Sequence, residues 1–288
     1  MKIGINLFDT DRAIHPVELG QALEARGFDA LYLPEHSHIP ASRQTRWPGS
    51  PPGQDDPLPD YYSRICDPYV ALSMIAAVTE RLELGTSVTL VPQHDPIRLA
   101  KQVATLDHWS KGRVRLGIGY GWNEEQTLAH GADFKTRRGR TEDCVGIMRA
   151  LWTQDEASFE GQYSSLEPSW SWPKPAQPGG PPILLGGGTG PQLFDAITRY
   201  ADGWMPITGR STVADRAAPL KEKFAAAGRD PDSLKIVVCG ATTDPDGLAA
   251  LAEEGVDTAA MTIWSEDRDE ILRKLDEFAA IRDAARGH

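Results

Sequence analysis

Val114-Arg115-Leu116-Gly117-Ile118-Gly119 is a short apolar run that ends in small residues, and Asn123-Glu124-Glu125 just beyond it opens a helix-like stretch. The same unit recurs along the chain. Apolar runs at 2–7, 30–35, 82–91, 114–119, 182–185, 203–207, 234–238 and 256–263 are each followed by a helix-like segment, eight units in all. Strands that alternate with helices pair in parallel, because each crossover helix returns the chain to the same edge, and eight such units close into a barrel. The expected fold is α/β, a single (β/α)8 TIM barrel over residues 1–288 with insertions after the second strand and before the fifth. Closure gathers the strand C-termini at one mouth. Barrels of this kind carry their chemistry on the loops leaving that mouth, so residues just after each run become candidates.

Length and charge narrow the function classes. A chain of 288 residues fits one such barrel with modest insertions. The net charge of -11 repels nucleic acid and anionic membranes, which leaves small molecules as the expected partners. Cys66, Cys144 and Cys239 lie far apart with no Cys-x-x-Cys pair, so neither a zinc site nor a redox dithiol is expected. Met1-Lys2 leads straight into the first strand, and no apolar run approaches the ~18 residues of a membrane span. A cytoplasmic protein with reduced thiols is the expectation.

Helix starts are marked by His15-Pro16, Asp67-Pro68 and Asp95-Pro96, where proline occupies a first turn whose N–H lacks a partner anyway and the aspartates cap. Leu99, Val103 and Leu106 share one helical face, as do Cys144, Ile147, Met148 and Leu151, and again Ile271, Leu275, Phe278 and Ile281. These stripes are read as core. Gly27 and Gly228 stand where helices stop. Two stretches break the rhythm. Residues 37–66, rich in proline and glycine, leave from a strand C-terminus and read as a loop covering the mouth, with Trp47, Tyr61 and Tyr62 as its apolar area. Residues 153–181 hold a small hairpin near 158–166 and belong to the opposite end of the barrel, as structure.

Candidate chemistry clusters after the second, fourth and fifth runs. Pro34-Glu35-His36-Ser37-His38 places a histidine and a carboxylate at the mouth, where His36 either exchanges protons or simply bonds loop backbone. The His-x-His spacing does not extend to a metal set, since the fifth and sixth runs end in Gly186-Gly187-Gly188 and Met205-Pro206. Gly186-Gly187-Gly188-Thr189-Gly190 before a helix reads as a cradle of backbone N–H groups for a phosphate, or as a tight turn only. Arg210 follows the sixth run and balances such a phosphate, unless it is merely solvated. The alternating glycines of Leu116-Gly117-Ile118-Gly119-Tyr120-Gly121-Trp122 clear one face for a flat ring, while Asn123 through Glu125 suit a helix N-cap and first-turn acids.

Taken in order, the opening Lys2-Ile3-Gly4-Ile5, Leu33-Pro34-Glu35-His36, the block from Glu80 to Val88, Pro96 through Leu106 with Gly112-Arg113, Leu116 to Trp122, Pro182 to Gly188 and Ala201-Asp202-Gly203-Trp204 resemble the luciferase-like monooxygenase superfamily. Within it the chain looks like the oxidoreductases that use the deazaflavin coenzyme F420. The resemblance implies a barrel of the luciferase-like type, a homodimer, and a non-proline cis peptide at Ser87-Val88 behind the coenzyme ring. It implies coenzyme contacts at Ser87, Val88, Gly119, Trp122, Asn123, Gly186, Gly187, Gly188, Thr189 and Arg210, with His36 as acid/base and Glu35 holding its tautomer or setting the local field. Where those dehydrogenases often carry a glutamate on the fourth strand, this chain has Trp122, which implies different substrate chemistry. Hydride transfer between F420 and a small organic substrate is the expected reaction. The alternative is an FMN-dependent monooxygenase, since reduced flavin activates oxygen where deazaflavin does not.

Overall fold

A computed structural model of the chain describes residues 1–51, 53–54, 57–206, 213–264 and 266–287. In chain order its strands are β1 (Lys2–Leu7), β2 (Ala30–Leu33), β3 (Glu83–Thr86), β4 (Thr89–Leu90), β5 (Val114–Gly119), β6 (Ala157–Glu160), β7 (Ser165–Ser169), β8 (Ile183–Gly187), β9 (Gly203–Pro206), β10 (Lys235–Ala241) and β11 (Thr258–Ile263). The helices are α1 (Pro16–Ala25), α2 (Pro68–Ala76), α3 (Pro96–Trp109), α4 (Glu124–Ala129), α5 (Arg137–Thr153), α6 (Pro191–Tyr200), α7 (Ala214–Ala226), α8 (Pro245–Glu253) and α9 (Arg268–Arg286). β3 and β4 are two halves of one stave, both paired with β5, so the parallel sheet is a closed barrel of eight staves as expected. The ring closes where β1 runs beside β11, from Lys2 opposite Thr258 to Leu7 opposite Ile263.

Side-chain alternation sorts each strand between two cores. Ala30, Tyr32, Leu184, Met205, Val237 and Ala260 fill the lumen, while Ile3, Ile5, Leu7, Leu31 and Leu33 face out and join the helical layer. The helical stripes read from spacing are buried, with Ile281 half-buried at the end of the last one. Asp67 accepts hydrogen bonds from the Tyr69 and Val70 N–H groups, Asp95 accepts one from Arg98 N–H, and His15 Nδ1 accepts one from Val17 N–H. These caps fix where the crossovers begin.

The two insertions differ in placement. β6 and β7 form an antiparallel hairpin that packs along α5, where the Asp143 carboxylate accepts the Tyr163 and Ser164 N–H groups at 2.5 and 2.9 Å. The segment between β2 and α2 instead crosses the strand C-termini. Its far end is sewn down by a bridge between Thr10 and Ile65 and by Cys66 N–H donating to the Asp9 carbonyl at 2.8 Å. No helix among the described residues is long and apolar enough to cross a membrane.

Candidate active site

A cavity of about 940 Å³ opens at the mouth between the strand ends and the segment that crosses them. Its floor is the break between β3 and β4, where Ser87 and Val88 are joined by a cis peptide bond, as the resemblance implied. Ser87 N–H donates to the Leu33 carbonyl at 2.8 Å, and its hydroxyl donates to Asn6 Oδ1 at 2.6 Å in the lumen. Val88 sits in a socket made by two glycines. A Cβ on Gly119 would lie 2.6 Å from Val88 Cγ2, and one on Gly186 would lie 2.9 Å from Val88 Cγ1.

That socket corrects the reading of the strand-four glycines. The space they clear is taken by protein, since a Cβ on Gly117 would stand 2.0 Å from the Thr86 carbonyl oxygen and Gly119 receives Val88. Gly119 and Gly186 therefore shape the floor from behind, and the surface offered to a ring is the Ser87-Val88 segment itself.

Glu35 and His36 form one wall, carried there by the end of β2. The two do not bond each other. Glu35 Oε2 accepts the Leu90 N–H at 2.6 Å and Oε1 pairs with His94 Nε2 at 2.8 Å, so this carboxylate clamps the chain just after the cis peptide. The expectation that Glu35 holds the His36 tautomer is thus overturned. His36 Nδ1 lies 2.9 Å from Gln126 Oε1 instead. Burial is the largest influence on His36 and lowers its pKa, against smaller upward pulls from the Gln126 bond and the Glu35 charge, so the ring is neutral near pH 7. Burial also works against a charged His94, but the Glu35 bond and charge outweigh it and its pKa is raised.

Aromatic rings close the space around His36. Tyr62 and Trp122 lie edge-on to it at centroid distances of 5.3 and 5.9 Å, and Trp47 meets Tyr62 at 5.9 Å. Trp47, Tyr62 and Trp122 all line the cavity, whereas Tyr61 stands behind, stacked on Tyr62. The covering segment is tied down by Glu125, which accepts N–H groups from Gln44 and Thr45 and the Thr45 hydroxyl at 2.6 to 3.0 Å. Burial pushes the Glu125 pKa up, but these bonds more than offset it and bring it down to about 2.

At the other end Gly187, Gly188 and Thr189 line the cavity just before α6, whose N-terminal turn has no side-chain cap. Gly187 has φ of 148°, and the space where a Gly188 side chain would stand is open. Backbone here is therefore bare to a ligand. Arg210 lies outside the described residues. Asn123 does not line the cavity; it is buried as the N-cap of α4, accepting from Gln126 N–H at 3.0 Å. Among the described residues no cluster of three or more histidine, cysteine or acidic side chains is poised to hold a metal.

The luciferase-like monooxygenase family model matches residues 9–280. The chain belongs to that family. An uncharacterized protein of Mycobacterium tuberculosis is 40% identical over 281 residues, covering 97% of this chain and 98% of that one. The F420-dependent glucose-6-phosphate dehydrogenase of Nocardia farcinica is 33% identical over 219 residues, covering 73% of this chain and 64% of that one. Among solved structures, an F420-dependent secondary alcohol dehydrogenase in complex with an F420-acetone adduct superposes with TM-score 0.75 at 18% identity, covering 99% and 98% of the two chains. A monooxygenase from Streptomyces bottropensis gives 0.77 at 20%, covering 97% and 98%. Both share the luciferase-like barrel.

Several site residues escape sequence reasoning. Gln126, His94 and Asn6 each bond a candidate residue, yet only Asn6, a polar side chain inside an apolar run, carries any signal in the sequence. Trp204 and Phe8 also line the cavity; the sequence marks Trp204 only as part of the family resemblance, and Phe8 reads as an ordinary apolar residue just past the first strand.

Proposed function

We propose that this luciferase-like protein is an F420-dependent oxidoreductase that moves a hydride between the coenzyme and a small organic substrate, with His36 as the proton partner. The observation that carries the reading is His36 itself, a buried neutral imidazole beside the Ser87-Val88 floor, with its Nε2 free of any partner among the described residues. The residues present fit a tricyclic coenzyme. The Ser87-Val88 segment offers a flat backing, Gly187, Gly188 and Thr189 offer backbone N–H groups to its phosphate, and the buried Trp204 Nε1–H has no acceptor among the described residues. Bound F420 supplies a ring carbon that gives or takes a hydride. Trp47, Tyr62 and Trp122 would exclude water and orient the substrate, whose hydroxyl proton passes to His36 as the C–H hydrogen leaves with its electron pair. In reverse, His36 returns that proton to the carbonyl oxygen.

Two relatives with named activities, the dehydrogenase above and an F420-dependent hydroxymycolic acid dehydrogenase of Mycobacterium tuberculosis at 29% identity, support F420 over FMN. Titration of the purified protein with F420 and with FMN, followed by coenzyme fluorescence, separates the two. Micromolar binding of F420 and weaker binding of FMN is expected. The opposite preference would make it a flavin enzyme, and binding of neither would refute the reading. With a substrate in hand, His36→Ala is expected to lower kcat about 10²- to 10⁴-fold while coenzyme affinity stays within a few-fold.

A further inference from the structure

Beyond the wall and floor, one hydrogen-bond chain leads from His36 through Gln126 and Ser37 to the exposed His130. We infer that Gln126 is a positioning residue, whose side-chain oxygen holds His36 as the Nδ1–H tautomer and so leaves Nε2 as the atom that exchanges a proton with the substrate. The inference rests on the reading of His36 as proton partner and deepens it.

Hydrogen-bond direction decides which end of the amide faces the ring. An amide side chain has an oxygen that only accepts and a nitrogen that only donates, so one end decides the other. Gln126 faces His36 Nδ1 with Oε1 at 2.9 Å and Ser37 Oγ with Nε2 at 3.4 Å. The Ser37 hydroxyl has a single proton, and two imidazole nitrogens face it, His130 Nε2 at 2.7 Å and His38 Nδ1 at 3.0 Å. Burial first and the neighbouring His38 second lower the His130 pKa, and the neutral ring takes the Ser37 proton as its Nδ1–H tautomer, with Nε2 bare. Toward Gln126 the Ser37 oxygen can then only accept, which turns the amide NH2 to Ser37 and the amide oxygen to His36. An oxygen facing Nδ1 requires a proton on Nδ1.

Gln126 is itself held in place. It is fully buried in the first turn of α4, and its N–H is capped by Asn123 Oδ1 at 3.0 Å. The titratable or charged groups around the His36 ring are Glu35 beside it in the chain, His38 two residues on, and Tyr62 from the covering segment, with Gln126 from α4 the direct bonding partner. An amide is therefore the group that sets which ring nitrogen carries the proton. A carboxylate at the same place would hold the same tautomer but favour the charged ring.

The test is long-range ¹H–¹⁵N imidazole spectroscopy of the full-length wild type, Gln126→Glu and Gln126→Met, with His36 assigned by loss of its signals in His36→Asn. The wild type is expected to show a protonated Nδ1 and a bare Nε2. Gln126→Glu should keep that pattern and move the acid limb of the kcat/KM profile up by about one pH unit or more. Gln126→Met should shift the ring toward Nε2–H and lower kcat at least tenfold, with coenzyme affinity within about twofold. A protonated Nε2 in the wild type, or an unchanged pH profile in Gln126→Glu, overturns the inference; either holds even if Gln126→Met does not fold. Coenzyme binding is measured on the same samples. The expected tautomers with neither coenzyme bound would support the assignment at His36 while refuting the functional reading.

Discussion

The floor and the roof of the mouth cavity are built on different principles. The floor is buried side chains locked onto neighbouring strands: Thr86 Oγ1 donates to the Gly117 carbonyl at 2.6 Å, Ser87 ties to Asn6, Glu35 clamps Leu90, and Val88 plugs the Gly119 and Gly186 socket. The roof is a long loop held at its hem by the Thr10 to Ile65 bridge and along its edge by the carboxylate of Glu125. A floor so made cannot yield without disturbing several strands, because close-packed interiors do not deform smoothly. A roof held by partly exposed polar contacts can open locally. The difference separates positioning of a coenzyme from admission of a substrate.

Substitutions that strike only one of the two surfaces break or sharpen this contrast. Gly117→Ala is expected to have the largest effect, because its Cβ would stand 2.0 Å from a backbone oxygen and no side-chain rotation relieves that. A loss of about 3 kcal/mol in global stability by urea denaturation is expected. If Gly117→Ala unfolds at the wild-type midpoint, the floor is softer than argued. Glu125→Gln should leave that midpoint nearly unchanged and weaken the roof locally by about 1 kcal/mol, discounted for solvent exposure, seen as faster amide exchange at Gln44 and Thr45. Because the Glu125 pKa is depressed, its anchoring is present above its ordinary 4.5 and lost as pH falls toward about 2. Equal loss of protection in the floor would join the two surfaces into one unit.

The smallest effect concerns the two histidines that flank Glu35. The raised pKa of His94 means that its pairing with Glu35 contributes fully below about 6.5 and is lost as pH rises through the folded value. His36 has the opposite sign: its depressed pKa favours folding above about 6.5, and that contribution disappears as pH falls through the folded value. His94→Gln is expected to remove on the order of 1 kcal/mol below pH 6 and to flatten the alkaline side of the stability profile. A profile unchanged by this variant would mean that the clamp on Leu90 does not need a charged partner.

The barrel was legible because the same strand-helix unit repeats eight times, and repetition survives errors at any single boundary. Glu35, His36 and Thr189 were legible for the same reason, since each ends or follows an apolar run, whereas Ser87 lies inside one and was legible only through the family resemblance. The role of the glycines was not, because Gly119 and Gly186 serve a side chain on a third strand and only assembly brings Val88 between them. Glu35 invited pairing with its chain neighbour His36, yet adjacent residues leaving a strand point apart, and the carboxylate turned to Leu90 and His94 instead. Glu125 and Gln126 looked like ordinary first-turn residues. Their partners, Thr45 and His36, come from loops whose path no local pattern fixes.

A crystal structure of the protein with F420 measures the central claim most directly. The ring is expected to lie on Ser87-Val88 within reach of His36 Nε2, with the phosphate against Gly187, Gly188 and Thr189. Coenzyme density in the flank cavity of about 710 Å³ between α5 and the β6–β7 hairpin, with the mouth left free, would contradict it.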